Sequence, residues 1–198
     1  THDNTSWDAA QFETVAHRWV RVEEPGYGVA LSNDATYGHD ITRIRAGGRS
    51  ATQLRVSLLR APLFPDPEAD QGSHRFHHSL TVGASVRDAY AHGYELNIPL
   101  RPVAGGQGVP AQRPLFGTRL EGQPFLYESV KLAEDRSGDV IVRLFEPYGA
   151  RSRGRLPIEF DHRFVDRVDL LEQPLAGVDV VDGSVLVELR PFEILSLR

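Results

Sequence analysis

Short apolar runs, broken by turn residues every eight to twelve positions, dominate the chain and predict many β-strands. The expected strands are Thr14–Val22, Tyr27–Asn33, Asp40–Arg45, Thr52–Arg60, Ser73–Val82 and Phe125–Leu132. Six more follow at Val140–Glu146, Arg155–Asp161, Phe164–Leu171, Val178–Val181, Val185–Leu189 and Phe192–Leu197. Leu54, Val56 and Leu58 alternate with Arg55 and Ser57, the period of a half-buried strand. Asp182-Gly183 lies between two valine-rich runs and marks a tight hairpin, Gly47-Gly48 separates the third and fourth runs, and Ser137-Gly138-Asp139 precedes Val140.

One segment departs from this rhythm. Val86, Tyr90 and Tyr94 are spaced by four with Ala89 beside them, which predicts a helix over 85–96. Ser85 and Asp88 form a capping box at its start, and Pro99 ends it near Asn97. Gly93 in its interior weakens the helix. Twelve strands and one short helix make an all-β chain: a large antiparallel β-sandwich, with the last eighty or so residues a candidate for a second, smaller one. The Pro/Gly-rich stretch from Pro102 to Pro114 is a long loop or a sub-boundary between two β units. Polar residues 1–11 read as a linker from a preceding domain, with Asn4-Thr5-Ser6 a formal glycosylation acceptor, and the domain proper runs over 12–198.

Composition narrows the function. With a net charge of −5 and only Arg151, Arg153 and Arg155 as a basic run, nothing suits nucleic acid. No apolar run is long enough to span a membrane as a helix. The absence of Cys excludes disulfides and thiolate-bound zinc, and fits a reducing, cytoplasmic setting. Of 22 basic residues only Lys131 is lysine, a skew that fits GC-rich codon usage better than any chemistry.

Candidate chemistry is sparse. On a strand, His74 and His78 would lie about 13 Å apart, too far for one zinc ion, and the glutamate of a His-Glu-x-x-His site is missing. These histidines read more simply as surface or half-buried side chains. The acidic loop from Pro65 to Gly72 has its glycine one place late for a calcium loop and His77 where the last ligand should be glutamate. It reads as a solvated turn stiffened by proline, although such loops often carry contacts. Gly26-Tyr27-Gly28 and Tyr37-Gly38-His39-Asp40 offer tyrosine faces either to a sugar ring or to the core. Arg60 could fork onto a carboxylate or a pair of hydroxyls, or stand in water as a strand-end charge. No nucleophile elbow, phosphate loop or dinucleotide fingerprint occurs.

Taken in order, a set of strings resembles the C-terminal region of the family 38 glycoside hydrolases, the α-mannosidases. They are His17-Arg18-Trp19-Val20, Glu24 to Asp34, Tyr37-Gly38-His39-Asp40, Leu58-Leu59-Arg60-Ala61-Pro62 and Pro65 to His74. Leu96 to Leu100, Lys131 to Asp135, Val142 to Glu146 and Pro191-Phe192-Glu193-Ile194 complete the set, with Phe145 where the family usually has tyrosine. The resemblance implies a retaining, exo-acting enzyme. Its aspartate nucleophile and zinc, held by two histidines and two aspartates, would sit in an N-terminal barrel that this chain lacks. It also implies that Arg60, with Asp66, Asp70 and His74 as neighbours, borders the substrate, and that no catalytic residue or metal ligand lies here. The expected partners are that catalytic barrel in the same polypeptide and mannose-containing glycans, with association of copies through any apolar surface left exposed. An autonomous carbohydrate-binding module is the competing expectation.

Overall fold

The computed structural model describes residues 12–102, 104 and 124–198. The expected linker over 1–11 and most of the Pro102–Pro114 stretch lie outside them. The chain forms two compact units, Thr1–Val103 and Ala104–Arg198. Among the described residues both are antiparallel β, with one helix in the first.

The first unit contains β1 (Thr14–Val15), β2 (Trp19–Glu24), β3 (Tyr27–Asn33), β4 (Gly38–Ala46), β5 (Arg49–Val56), β6 (His78–Val82) and α1 (Val86–Asn97). Its sheets have the orders β1-β4-β5 and β2-β3-β6. The β4–β5 hairpin turns at Gly47-Gly48, where both residues take positive φ and Ala46 pairs with Arg49.

Helix α1 starts as its capping box dictates. Ser85 Oγ accepts from Asp88 N at 3.1 Å, and Asp88 Oδ2 accepts from Ser85 N at 2.8 Å. Its buried stripe is Ala89 and Gly93, one place off the tyrosine pattern expected for it. The reason is steric: a Cβ at Gly93 would stand 2.8 Å from Cδ1 of Trp19, so only a bare backbone lets the helix approach β2 this closely. Tyr90 and Tyr94 pair along the helix flank, and the Arg18 guanidinium lies 4.3 Å over the Tyr94 ring.

The second unit contains β7 (Leu126–Leu132), β8 (Val140–Phe145), β9 (Ser152–Pro157), β10 (Asp166–Val168), β11 (Pro174–Gly177), β12 (Val180–Val181), β13 (Ser184–Leu189) and β14 (Ile194–Leu197). A five-stranded sheet, β11-β10-β14-β8-β7, packs on a three-stranded one, β12-β13-β9. Alternation aims Val142, Leu144, Leu195 and Leu197 from the larger sheet at Leu156, Val185, Val187 and Leu189 from the smaller, with Phe125 and Val165 closing the core. Each such burial contributes about 1.5–3 kcal/mol. Asp182-Gly183 makes the tight turn between β12 and β13, both residues at positive φ.

Several strand boundaries differ from expectation for local reasons. The Thr14–Val22 run breaks because Arg18 is left-handed, with φ 70°. The Thr52–Arg60 run ends at Val56, so Arg60 stands in a loop and not at a strand end. The Ser73–Val82 run becomes strand only at His78, because Asp34 takes up the His77 N–H. Strand β9 is displaced toward the N-terminus of the expected Arg155–Asp161 run, pairing Ser152–Pro157 with β13. The Phe164–Leu171 run shrinks to β10, since the Asp169 carboxylate turns the chain by accepting the N–H groups of Leu171 and Gln173. Strand β11 was not expected.

Candidate functional site

Residues 57–77, which connect β5 to β6, hold all four residues singled out in the sequence. The loop is held by its own polar groups. Asp70, at φ 60°, accepts the Ala61 N–H through Oδ2 at 3.0 Å and closes the base of a ten-residue excursion. Asp66 Oδ1 accepts from Glu68 N at 2.9 Å, an Asx-type turn that starts the acidic stretch. Gln71 Nε2 donates to the Pro67 carbonyl at 3.1 Å, and the His74 ring donates through Nε2 to the Asp70 carbonyl at 2.8 Å. His74 also stacks on Phe76, with centroids 6.1 Å apart.

The return limb is clamped to the first limb of the neighbouring turn. Asp34 accepts both from the His77 backbone N–H at 3.0 Å and from ring Nδ1 at 2.6 Å. The backbone donor first, and then the ring, hold the Asp34 carboxyl below its usual range.

The geometry therefore brings Ala61, Asp70 and His74 together and uses Asp66 to shape the turn. Arg60 is exposed, and among the described residues its guanidinium makes no hydrogen bond or ion pair, which suits it to meet an incoming carboxylate or diol. Beside it the loop exposes Leu58, Leu59, Leu63 and Phe64, the last two at 80% and 86%. Among the described residues no three His, Asp or Glu side chains converge as metal ligands.

Two buried polar nodes were not singled out from the sequence. His39, fully buried, donates through Nδ1 to the Tyr37 carbonyl at 3.0 Å, which leaves Nε2 facing Asn33 Nδ2 at 3.4 Å. Asn33 Oδ1 accepts from Thr36 N at 3.0 Å, and Asn97 Nδ2 reaches the Asn33 carbonyl at 2.9 Å, pinning the end of α1 to the end of β3. In the second unit Glu146 is buried and accepts four backbone N–H groups. The signal available for both was a polar residue where a strand ends and a turn begins. Tyr37, proposed above as a sugar platform or a core cap, is exposed and stacks on His17 at 5.5 Å.

Comparison with known proteins extends this picture across the chain. Residues 1–68 match the family described as "Glycosyl hydrolases family 38 C-terminal domain". Residues 125–197 match "Glycosyl hydrolases family 38 C-terminal beta sandwich domain". Alpha-mannosidase 2C1 of Homo sapiens is 34% identical over an alignment spanning all of this chain and 19% of that protein. Alpha-mannosidase G of Dictyostelium discoideum is 30% identical over all of this chain and 18% of its own length. The chain thus spans about one-fifth of the length of these relatives. An α-mannosidase structure from Enterococcus faecalis V583 superposes on 98% of the chain with a TM-score of 0.65, at 21% identity and over 22% of its own chain. Matches at both ends and full-length alignment, on an all-β fold, show that this chain belongs to glycoside hydrolase family 38 as part of its C-terminal β-sandwich region.

Proposed function

We propose that this chain is a non-catalytic docking part of a zinc-dependent, retaining α-mannosidase that removes terminal α-mannose residues. In this reading the loop over 57–77 borders the substrate cleft of a catalytic barrel carried elsewhere in the polypeptide. Zinc, the nucleophile and the acid all belong to that barrel. The observation that carries the reading is the state of the loop itself. It is braced by Asp70, Asp66 and the Asp34–His77 pair, yet it leaves a charged Arg60 and an apolar tip in water. Loops ordered this way, with their binding groups unspent, are suited to a partner surface. Arg60 would act there as a positioning residue, its planar fork holding a barrel carboxylate or two mannose hydroxyls.

Steady-state kinetics of the intact enzyme on a small aryl α-mannoside test this. Arg60→Ala is expected to lower kcat/KM at least tenfold, about 1.4 kcal/mol, without changing Tm. Arg60→Lys should recover only part of the loss. Wild-type kinetics for Arg60→Ala would overturn the reading. An autonomous sugar-binding module would instead leave the small mannoside hydrolysed at the wild-type rate and weaken only the capture of larger glycans.

A further inference from the structure

The sheet β2-β3-β6 carries apolar side chains on the face turned away from α1. The helix side is fixed by Trp19, Ala30 and Ala89, which pack together, and by the 2.8 Å hydrogen bond between Thr81 Oγ1 and His92 Nδ1. Strand alternation then places six apolar residues on the opposite face in two cross-strand rows, Val20–Leu31–Leu80 and Val22–Val29–Val82. Exposure rises across them. Val20 is buried, the three middle residues are half-buried, and Leu80 and Val82 on β6 are 66% and 65% exposed.

Strand β6 is also the outer strand of this sheet, with no further strand paired to it among the described residues. Its pattern is the reverse of a solvated edge. Small polar Ser79 and Thr81 face the helix, while Leu80 and Val82 face out. Edges left in water normally carry charge or proline, and the outward positions Leu80 and Val82 of this edge carry neither.

We propose that this face is the seat of another segment of the same polypeptide, outside these 198 residues, packed on Leu80 and Val82 as an apolar second layer. The inference deepens the docking reading and rests on it. Two observations favour a covalently connected occupant over a second copy. The matched relatives carry about four-fifths of their length outside the region aligned here. The face is also small: three strands and two side-chain rows cover on the order of 200 Å², well under the roughly 800 Å² per partner of a stable complex. So slight an apolar strip binds firmly only when its partner is held at high effective concentration by the chain itself.

Thiol labelling of the intact enzyme tests this. Leu80→Cys is treated with a maleimide under native conditions and in concentrated urea, and modification is read on the peptide bearing position 80. The expected result is labelling at least tenfold slower in the native protein, at a rate that does not change with protein concentration. Native labelling within a few-fold of the urea rate overturns the proposal. So does protection lost on dilution, which assigns the face to a second copy. Val82→Cys, a nearly isosteric change, gives the same readout if Leu80→Cys does not fold. Fast labelling together with a defective Arg60→Ala enzyme would remove this surface and leave docking through the loop in place.

Discussion

The carboxylate of Glu146, just past the end of β8, accepts the backbone N–H of Phe192 at 3.1 Å and so joins the β8–β9 turn to the start of β14. The same carboxylate accepts from Tyr148 at 2.8 Å, Gly149 at 2.8 Å and Ala150 at 3.3 Å, and the Phe192 ring lies over Gly149. One buried carboxyl group thus takes up three backbone donors of the turn and a fourth at Phe192. Glu146→Gln turns an NH2 group toward those donors. It should lower stability by about 2 kcal/mol, read as a lower urea midpoint with an unchanged slope.

Gly93 should resist a substitution that usually helps. In an exposed helix interior, Gly→Ala gains about 1 kcal/mol. Here the new methyl would meet Trp19 Cδ1 at 2.8 Å and Arg18 Cβ at 3.4 Å. Gly93→Ala is expected to cost about 1–3 kcal/mol as an overpacking change. A raised Tm would mean that α1 does not seat on β2 as described.

Arg198, beyond the end of β14, supplies a pH-dependent clasp. Arg198 donates to Asp135 at 2.5 Å and to Asp139 at 2.9 Å, and Ser137 N donates to Asp135 at 3.0 Å. The Ser137 N–H first, and the Arg198 guanidinium next, hold the Asp135 carboxyl at about 2, against an ordinary 3.8. A carboxyl depressed in the folded state stabilises fully above its unfolded value and ceases to do so as pH falls through its folded one. Asp135→Asn should therefore lower Tm most at neutral pH, where the carboxylate contributes in full, and flatten the fall in Tm between pH 4 and about 2, so that the two proteins converge in acid. An unchanged acid limb would show that the clasp contributes nothing there.

Asp70 should control the loop without controlling the fold. Its hydrogen bond to Ala61 N is exposed, so Asp70→Ala should shift global stability by no more than about 0.5 kcal/mol. The loop base, however, loses its closing contact. Limited trypsin digestion at Arg60–Ala61 should become several-fold faster than in the wild type. Equal cleavage rates would mean that other contacts hold the base closed.

The sequence was most legible where short-range rules act alone. Gly47-Gly48 and Asp182-Gly183 turn where their backbone freedom says they should, and Ser85 with Asp88 starts α1. The all-β class followed from alternation, as in Val185, Val187 and Leu189, which share the core face. It was less legible where a side chain captures backbone from a distance. Asp34 lies 43 residues from the His77 N–H it accepts, and no local pattern reveals that pairing. The buried face of α1 was misplaced for a similar reason. Tyr90 and Tyr94 carry the apolar area, but the close approach of Trp19 selects Ala89 and Gly93. In the candidate site, Arg60 lies in a loop and not at the expected strand end, since pairing to β4 stops at Val56.

The seating of Trp19 under Gly93 also gives the protein a built-in optical gauge. An indole pressed against bare helix backbone sits in surroundings that change as soon as the helix lifts, so its emission maximum should shift to the red when α1 detaches. Undocking of the helix can thus be followed by fluorescence, separately from unfolding of the valine- and leucine-rich sandwich in the second unit.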